Sequence, residues 1–117
     1  MRMNEALQDV MTCDELPVYV NEAKKEDAYP YAVFTTKRLI ADTVSQYRMT
    51  VNVWDMRDTW NRAEMLAMEL EKRIDRMRFE FEGGAGMIYK DTCEPIVVED
   101  KKLKKIELTF EVRVVEE

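Results

Sequence analysis

From Ile106 to Val114 every second residue is apolar: Ile106, Leu108, Phe110, Val112 and Val114 alternate with Glu107, Thr109, Glu111 and Arg113. A period of two belongs to an extended strand, whose successive side chains point to opposite faces. Such a strand is not stable alone; it needs neighbouring strands and a layer that covers its apolar side. A second alternation runs through Tyr47, Met49, Val51 and Val53, with Arg48, Thr50 and Asn52 opposite. The chain is therefore built around a sheet with one covered face.

Between these stretches the period changes. Trp60, Ala63, Ala67, Leu70, Ile74 and Met77 recur at steps of three and four, with Leu66 beside them, and this predicts one long amphipathic helix. Asp58 or Thr59 is its expected N-cap, and Arg73, Arg76 and Arg78 are expected at the negative end of its dipole. Leu7, Val10 and Met11 predict a short N-terminal helix capped by Asn4. "LPVYV" reads as a short strand and "NEAKKEDA" as a solvated connection. Pro30 lacks an N–H and so belongs at the start of a strand, which makes Tyr29-Pro30-Tyr31 a lead-in to the strand that follows. "KRLIADTV" is long enough for an arm or loop beyond the body of the sheet. Phe79 and Phe81 share one side of a short extended piece. Gly83, Gly84 and Gly86 are expected in a mobile turn or hairpin, and Pro95 at the start of a separate short strand. The fold class is α+β: a mostly antiparallel sheet with a long amphipathic helix and a short N-terminal helix packed on one face. With 117 residues and 46% hydrophobic content, residues 1–117 are expected to form one domain.

The function classes narrow by subtraction. A net charge of -6 disfavours a chain that binds nucleic acid by neutralising phosphates. There is no His and only one Ser, Ser45, so Ser-His and Cys-His nucleophiles and histidine metal centres are excluded. Cys13 and Cys93 form no C-x-x-C and are expected as reduced, partly buried thiols. Glu107 and Glu111 fall on a solvent-facing strand side, and the helix acids alternate with Arg62, Lys72, Arg73 and Arg76 as on an exposed helix. "GGAG" lacks the Lys and Ser/Thr of a phosphate loop. The nine Met residues, Met49, Met65 and Met77 among them, sit at spacings that fit core gap-filling. Trp54 and Trp60 frame a strand-to-helix corner. Tyr29 and Tyr31 have the acids Glu26 and Asp27 ahead of them, which disfavours a base-stacking role. No run resembles a signal peptide or a membrane span. No catalytic residue, metal or cofactor is expected, and the reading is of an assembly or binding protein in a cytoplasm-like compartment, with a small binding module or an enzyme as the other classes.

Taken as an ordered set, Tyr29, Pro30 and Tyr31, then Val51, Val53 and Trp54, then Arg62, Ala63, Glu64 and Leu66 resemble the tail-completion family of long-tailed bacteriophages and related prophages. The likeness runs from about Leu16 to Val114. It implies a structural protein without chemistry that terminates the tail tube or joins it to the head-side connector. Relatives of this kind form rings, commonly hexameric, around a channel for DNA. An acidic lumen would let DNA slide.

The resemblance further implies assembly in the host bacterial cytoplasm and a final place at the tail–head junction of the virion. The expected partners are copies of the chain itself, the tail-tube protein and head–tail connector proteins, with DNA only passing through and no membrane. The expected contacts are the arm with Leu39 and Ile40, the glycine turn with Met87, Ile88 and Tyr89, and the run Lys101, Lys102, Lys104 and Lys105. Replacing all four lysines by Glu is expected to weaken partner docking while leaving the fold intact. The sequence departs from the family's commoner form in the charged stretch "CEPIVVEDKKLKK" and around Asp55 to Thr59. Both departures bear on the partner, and a head-closure component is the near alternative.

Overall fold

The computed structural model describes residues 1–23 and 28–116; residues 24–27, part of the expected connection, and Glu117 lie outside the described residues. The elements are α1 (Met3–Met11), β1 (Val18–Val20), β2 (Tyr31–Ile40), β3 (Val44–Met56), α2 (Asn61–Ile74), β4 (Arg78–Phe81), β5 (Gly84–Ile96) and β6 (Leu103–Glu116). The strands form one sheet in the order β1-β2-β3-β6-β5-β4. β1 runs parallel to β2 and every other pair is antiparallel, so the sheet is mixed.

The two alternating stretches lie side by side at its centre. All 13 residues of β3 pair with β6, from Val44 opposite Val115 to Met56 opposite Leu103. Met49, Val51 and Val53 of β3 and Ile106, Leu108, Phe110, Val112 and Val114 of β6 are buried. They join Leu7 and Met11 of α1 and Ala63, Leu66, Ala67, Leu70 and Ile74 of α2 in a single cluster. Both helices thus cover the same sheet face. α1 packs against both outermost strands, β1 and β4, so the sheet is curled around its helices.

The long helix expected from Trp60 to Met77 is in fact 14 residues, Asn61–Ile74. Trp60 and Met77 pack on the core from just outside it, which is why the three-four spacing overran the helix. The C-terminal stop is tertiary. Asp75 turns extended and Arg76 takes a left-handed conformation at φ 61°. Arg76 N–H donates to Ile88 O, and Ile88 N–H to Met77 O, so β5 captures this backbone. Of the three arginines expected at the dipole end, Arg73 sits in the last turn, Arg76 lies beyond it and Arg78 belongs to β4. The Arg73 guanidinium donates to Met11 O at the C-terminal end of α1, where a cation is favoured.

The expected caps are also corrected. Neither Asp58 nor Thr59 caps α2, whose N-cap is Trp60. Asn4 lies inside α1, where its Oδ1 accepts from Thr36 Oγ1 of β2 at 3.0 Å. Instead, the start of α2 is held by an ion pair between a buried carboxylate and a half-buried guanidinium. Asp55 of β3 is fully buried and its carboxylate accepts from both Arg62 Nε, at 2.8 Å, and Arg62 Nη2. Met56 N–H adds a third bond at 2.9 Å. Burial alone would push the Asp55 carboxyl up, but the hydrogen bonds from Arg62 and Met56 and the charges of Arg62 and Arg57 hold it below its usual value.

Of the expected turn or hairpin, the structure has the hairpin: β4 and β5 are joined by a turn at Glu82 and Gly83, the latter at φ 96°, while Gly84 and Gly86 are strand residues. A Cβ on Gly86 would stand 2.7 Å from the Phe79 ring and 2.9 Å from Arg113 O, so this position is small because Phe79 lies against it. Pro95 does not start a strand but sits near the end of β5, opposite Ile106. β4 pairs only with Gly84 to Met87, so this end of β5 is a sheet edge, where a missing N–H is tolerated.

Arg62→Ala leaves the Asp55 carboxylate buried without its cation and is expected to cost about 3 kcal/mol in chemical denaturation. The folded Asp55 value lies below the unfolded one, so the pair stabilises fully above pH ~4 and progressively less as pH falls through the depressed value. The variant should accordingly lose this part of the acid dependence of stability. Gly86→Ala is expected to lower stability by about 1–3 kcal/mol, since neither Phe79 nor the β6 backbone is free to retreat.

Candidate interaction surfaces

The residues expected to make contacts fall into three places. The first is an arm formed by the far ends of β2 and β3, where every residue from Lys37 to Val44 is exposed. Leu39 is 45%, Ile40 49% and Val44 45% exposed, an apolar display that the core does not use. Leu39 is the bulged residue between the Arg38–Tyr47 and Ile40–Gln46 pairs. Lys37 lies opposite Arg48 in the ladder, which makes the arm basic on its flank.

The second place is the β4–β5 hairpin. Met87 and Tyr89 are half-buried on the helix-free face, and the Arg113 guanidinium sits 5.1 Å from the Tyr89 ring centre. Both residues line a depression of about 440 Å³ with Ala85, Arg113 and Val115. Ile88, between them, is fully buried in the core and is withdrawn as a contact, because strand alternation turns it to the opposite face.

The lysine run is the third, and alternation divides it. Lys101 and Lys102 are exposed in the turn between β5 and β6, beside Val97. Lys104 is buried on the helix side, donating to Lys101 O with its ammonium 5.3 Å from the Trp60 ring centre. Lys105 turns to the other face, 5.1 Å from the Trp54 ring centre. Only Lys101 and Lys102 form a free basic tip, and Lys104 is corrected from contact to structural residue.

Tyr29 and Tyr31 flank a cis Tyr29–Pro30 bond at the start of β2. Their rings stack at 5.2 Å, and Tyr31 meets Tyr19 edge-on at 6.2 Å. The aromatic faces are thus largely used by each other, as a strand lead-in requires. Among the described residues no three His, Cys, Asp or Glu side chains gather to hold a metal ion, and no helix is long and apolar enough to cross a membrane.

A fourth surface was missed. Met65 and Met68, 51% and 64% exposed, lie off the apolar stripe of α2 and line a groove of about 530 Å³ between α2 and β5. The core position expected of Met65 is overturned by this exposure. Its place outside the 63-67-70-74 series was the available signal. Cys93, expected to be partly buried, is exposed on this flank of β5. Its thiol is pushed up by desolvation and by the charges of Glu71 and Glu64 of α2.

Lys101→Glu with Lys102→Glu is expected to leave the thermal midpoint nearly unchanged, as for most exposed positions. Lys104→Glu places a carboxylate against Trp60 and a backbone carbonyl, and is expected to cost about 2 kcal/mol or more in the same assay.

No family model and no curated protein matches this chain. Among solved structures, a chain of the virion of a native gene transfer agent particle matches with a TM-score of 0.70 at 16% identity, over 83% of this chain and 77% of that one. A second solved chain, whose description states no activity, matches with a TM-score of 0.73 at 16% identity, over 95% of this chain and 89% of its own length. The protein therefore shares its fold with a chain of a gene transfer agent virion.

Proposed function

We propose that this chain is a non-enzymatic structural protein of a phage-like or prophage particle, forming a ring that terminates the tail tube or joins it to the head connector. The observation that carries this reading is the fold shared with a chain of the gene transfer agent virion. It is supported by the resemblance of Tyr29–Tyr31, Val51–Trp54 and Arg62–Leu66 to tail-completion proteins, and by the distribution of surface. An apolar, basic arm at one end of the central strand pair and a basic tip at the other are features of a protein that docks rather than turns over a substrate. In this reading the partners are copies of the chain, the tail-tube protein and connector proteins. Contacts come from Leu39 and Ile40, from Met87 and Tyr89, and from Lys101, Lys102 and Lys105. The chain assembles in the bacterial cytoplasm and ends at the tail–head junction, with DNA passing through the ring unread.

The chain of 13.9 kDa should show a mass several times larger by light scattering over a concentration series, and electron microscopy should show rings with a central hole. A lumen lined by acids is expected, and a basic lumen would overturn the passage of unbound DNA. A ring that binds the connector but not the tail tube in a pull-down would favour the head-closure role instead.

A further inference from the structure

The arm and the methionine groove are complementary to each other, yet they lie on opposite flanks of one molecule. The arm ends β2, the groove follows α2 and β5, and β3 and β6 stand between. Three strand spacings separate β2 from β5, about 14 Å. Along the strands, Ile40 lies level with Gln46, Arg113 and Met87, whereas Cys93 is a further six residues down β5, about 17 Å or more. The two surfaces cannot meet within one chain.

Their chemistry matches in both charge and apolar content. The arm carries Lys37 and Arg38, with Arg48 beside them and Asp42 at its tip, and displays Leu39 and Ile40. The groove is lined by Glu69, Glu71 and Asp75 with Lys72 and Lys90 and displays Met65 and Met68, and the exposed Glu64 of α2 adds a further acid on the side of Cys93. Met is the side chain that best moulds to an incoming branched residue. In a chain with a net charge of -6, copies repel unless cations are concentrated where they meet acids.

We infer that the groove between α2 and β5 receives the β2–β3 arm of a second copy, with Leu39 and Ile40 on Met65 and Met68, and Lys37 and Arg38 against Glu64 and Glu71. This inference rests on the ring reading and names the contact that builds it. The interface is heterologous, because each copy offers an arm on one flank and a groove on the other, and such a contact repeats around an axis until it closes. Docking is through side chains. Pro95 denies this edge of β5 a donor, so the sheet does not continue from copy to copy.

The native Cys93 supplies the probe. In the full chain carrying Cys13→Ser and Ile40→Cys, mild oxidation should join position 40 of one copy to Cys93 of the next and give a ladder of covalent multimers. Val97→Cys in the same background, exposed at the far end of β5, is the control and should give no bond to Cys93 beyond random collision. Adding Lys37→Glu with Arg38→Glu should lower the yield of the 40–93 bond about tenfold through like-charge repulsion. Adding Glu64→Lys with Glu71→Lys to that chain should restore it. Lys37, Arg38, Ile40, Glu64 and Val97 are exposed, Cys13 and Glu71 are half-buried, and far-UV circular dichroism checks that each variant is folded.

A 40–93 yield equal to the control, or one that ignores both charge reversals, overturns the inference. If the unmodified chain nonetheless forms rings in the microscope, the arm contact fails and the ring reading stands. If the charge-dependent 40–93 bond forms but every species is an open chain, the arm contact stands and the ring reading fails.

Discussion

The pairing of β3 with β6 is the constraint on which the rest of the molecule depends. Because side chains alternate strictly, a slip of one residue in this register would invert one strand against the other, turning either Arg48 and Asn52 or Glu107 and Glu111 into the core and expelling Val51 and Val53 or Leu108 and Val112. No other pairing could then survive, since β2 takes its register from β3 and β5 takes its own from β6. α2 lies over these strands, so the face that the register buries is also the face to which the helix is committed. Burial of apolar area, at about 25 cal/mol per Å², makes the correct register far the most favourable.

Polar bonds then fix how the helices sit on that face. Asp55 and Arg62 tie the end of β3 to the first turn of α2, a half-buried pair whose geometry specifies the strand-to-helix corner. Arg73 reaches the last turn of α1, and Asn4 and Gln8 join α1 to β2 and β1. α1 in turn touches both outer strands, so a nine-residue helix helps hold the curl of the sheet. Helix ends here are set by what they bond to across space.

The surface follows a different logic from the core. Each end of the β3–β6 pair is extended by a projection, the arm at one end and the lysine turn at the other. The acids of α2 line a flank that the core leaves half open. At 16% identity the shared fold rests on the pattern of burial rather than on particular residues, which leaves the surface chemistry to this chain alone.

Strand alternation and helical periodicity were legible in the sequence, because they report which side of an element is covered. Ile106 to Val114, Tyr47 to Val53 and the stripe from Ala63 to Ile74 all lie where the spacing predicts. Side-chain direction within a strand was legible too, and applied to Lys104 and Ile88 it separates buried from displayed residues. What the sequence alone could not determine were the ends of α2, the close approach of Phe79 to Gly86, the partner of Asp55 and the groove beside Met65 and Met68. Each of these depends on a residue distant along the chain, whether Ile88, Phe79, Arg62 or Lys90, and local periodicity carries no information about distant neighbours. The sequence by itself determined which faces are buried, through the hydrophobic effect acting on a fixed period. Only the tertiary structure decided where elements stop and which exposed surfaces stand side by side, because both are set by contacts made after the sheet has folded.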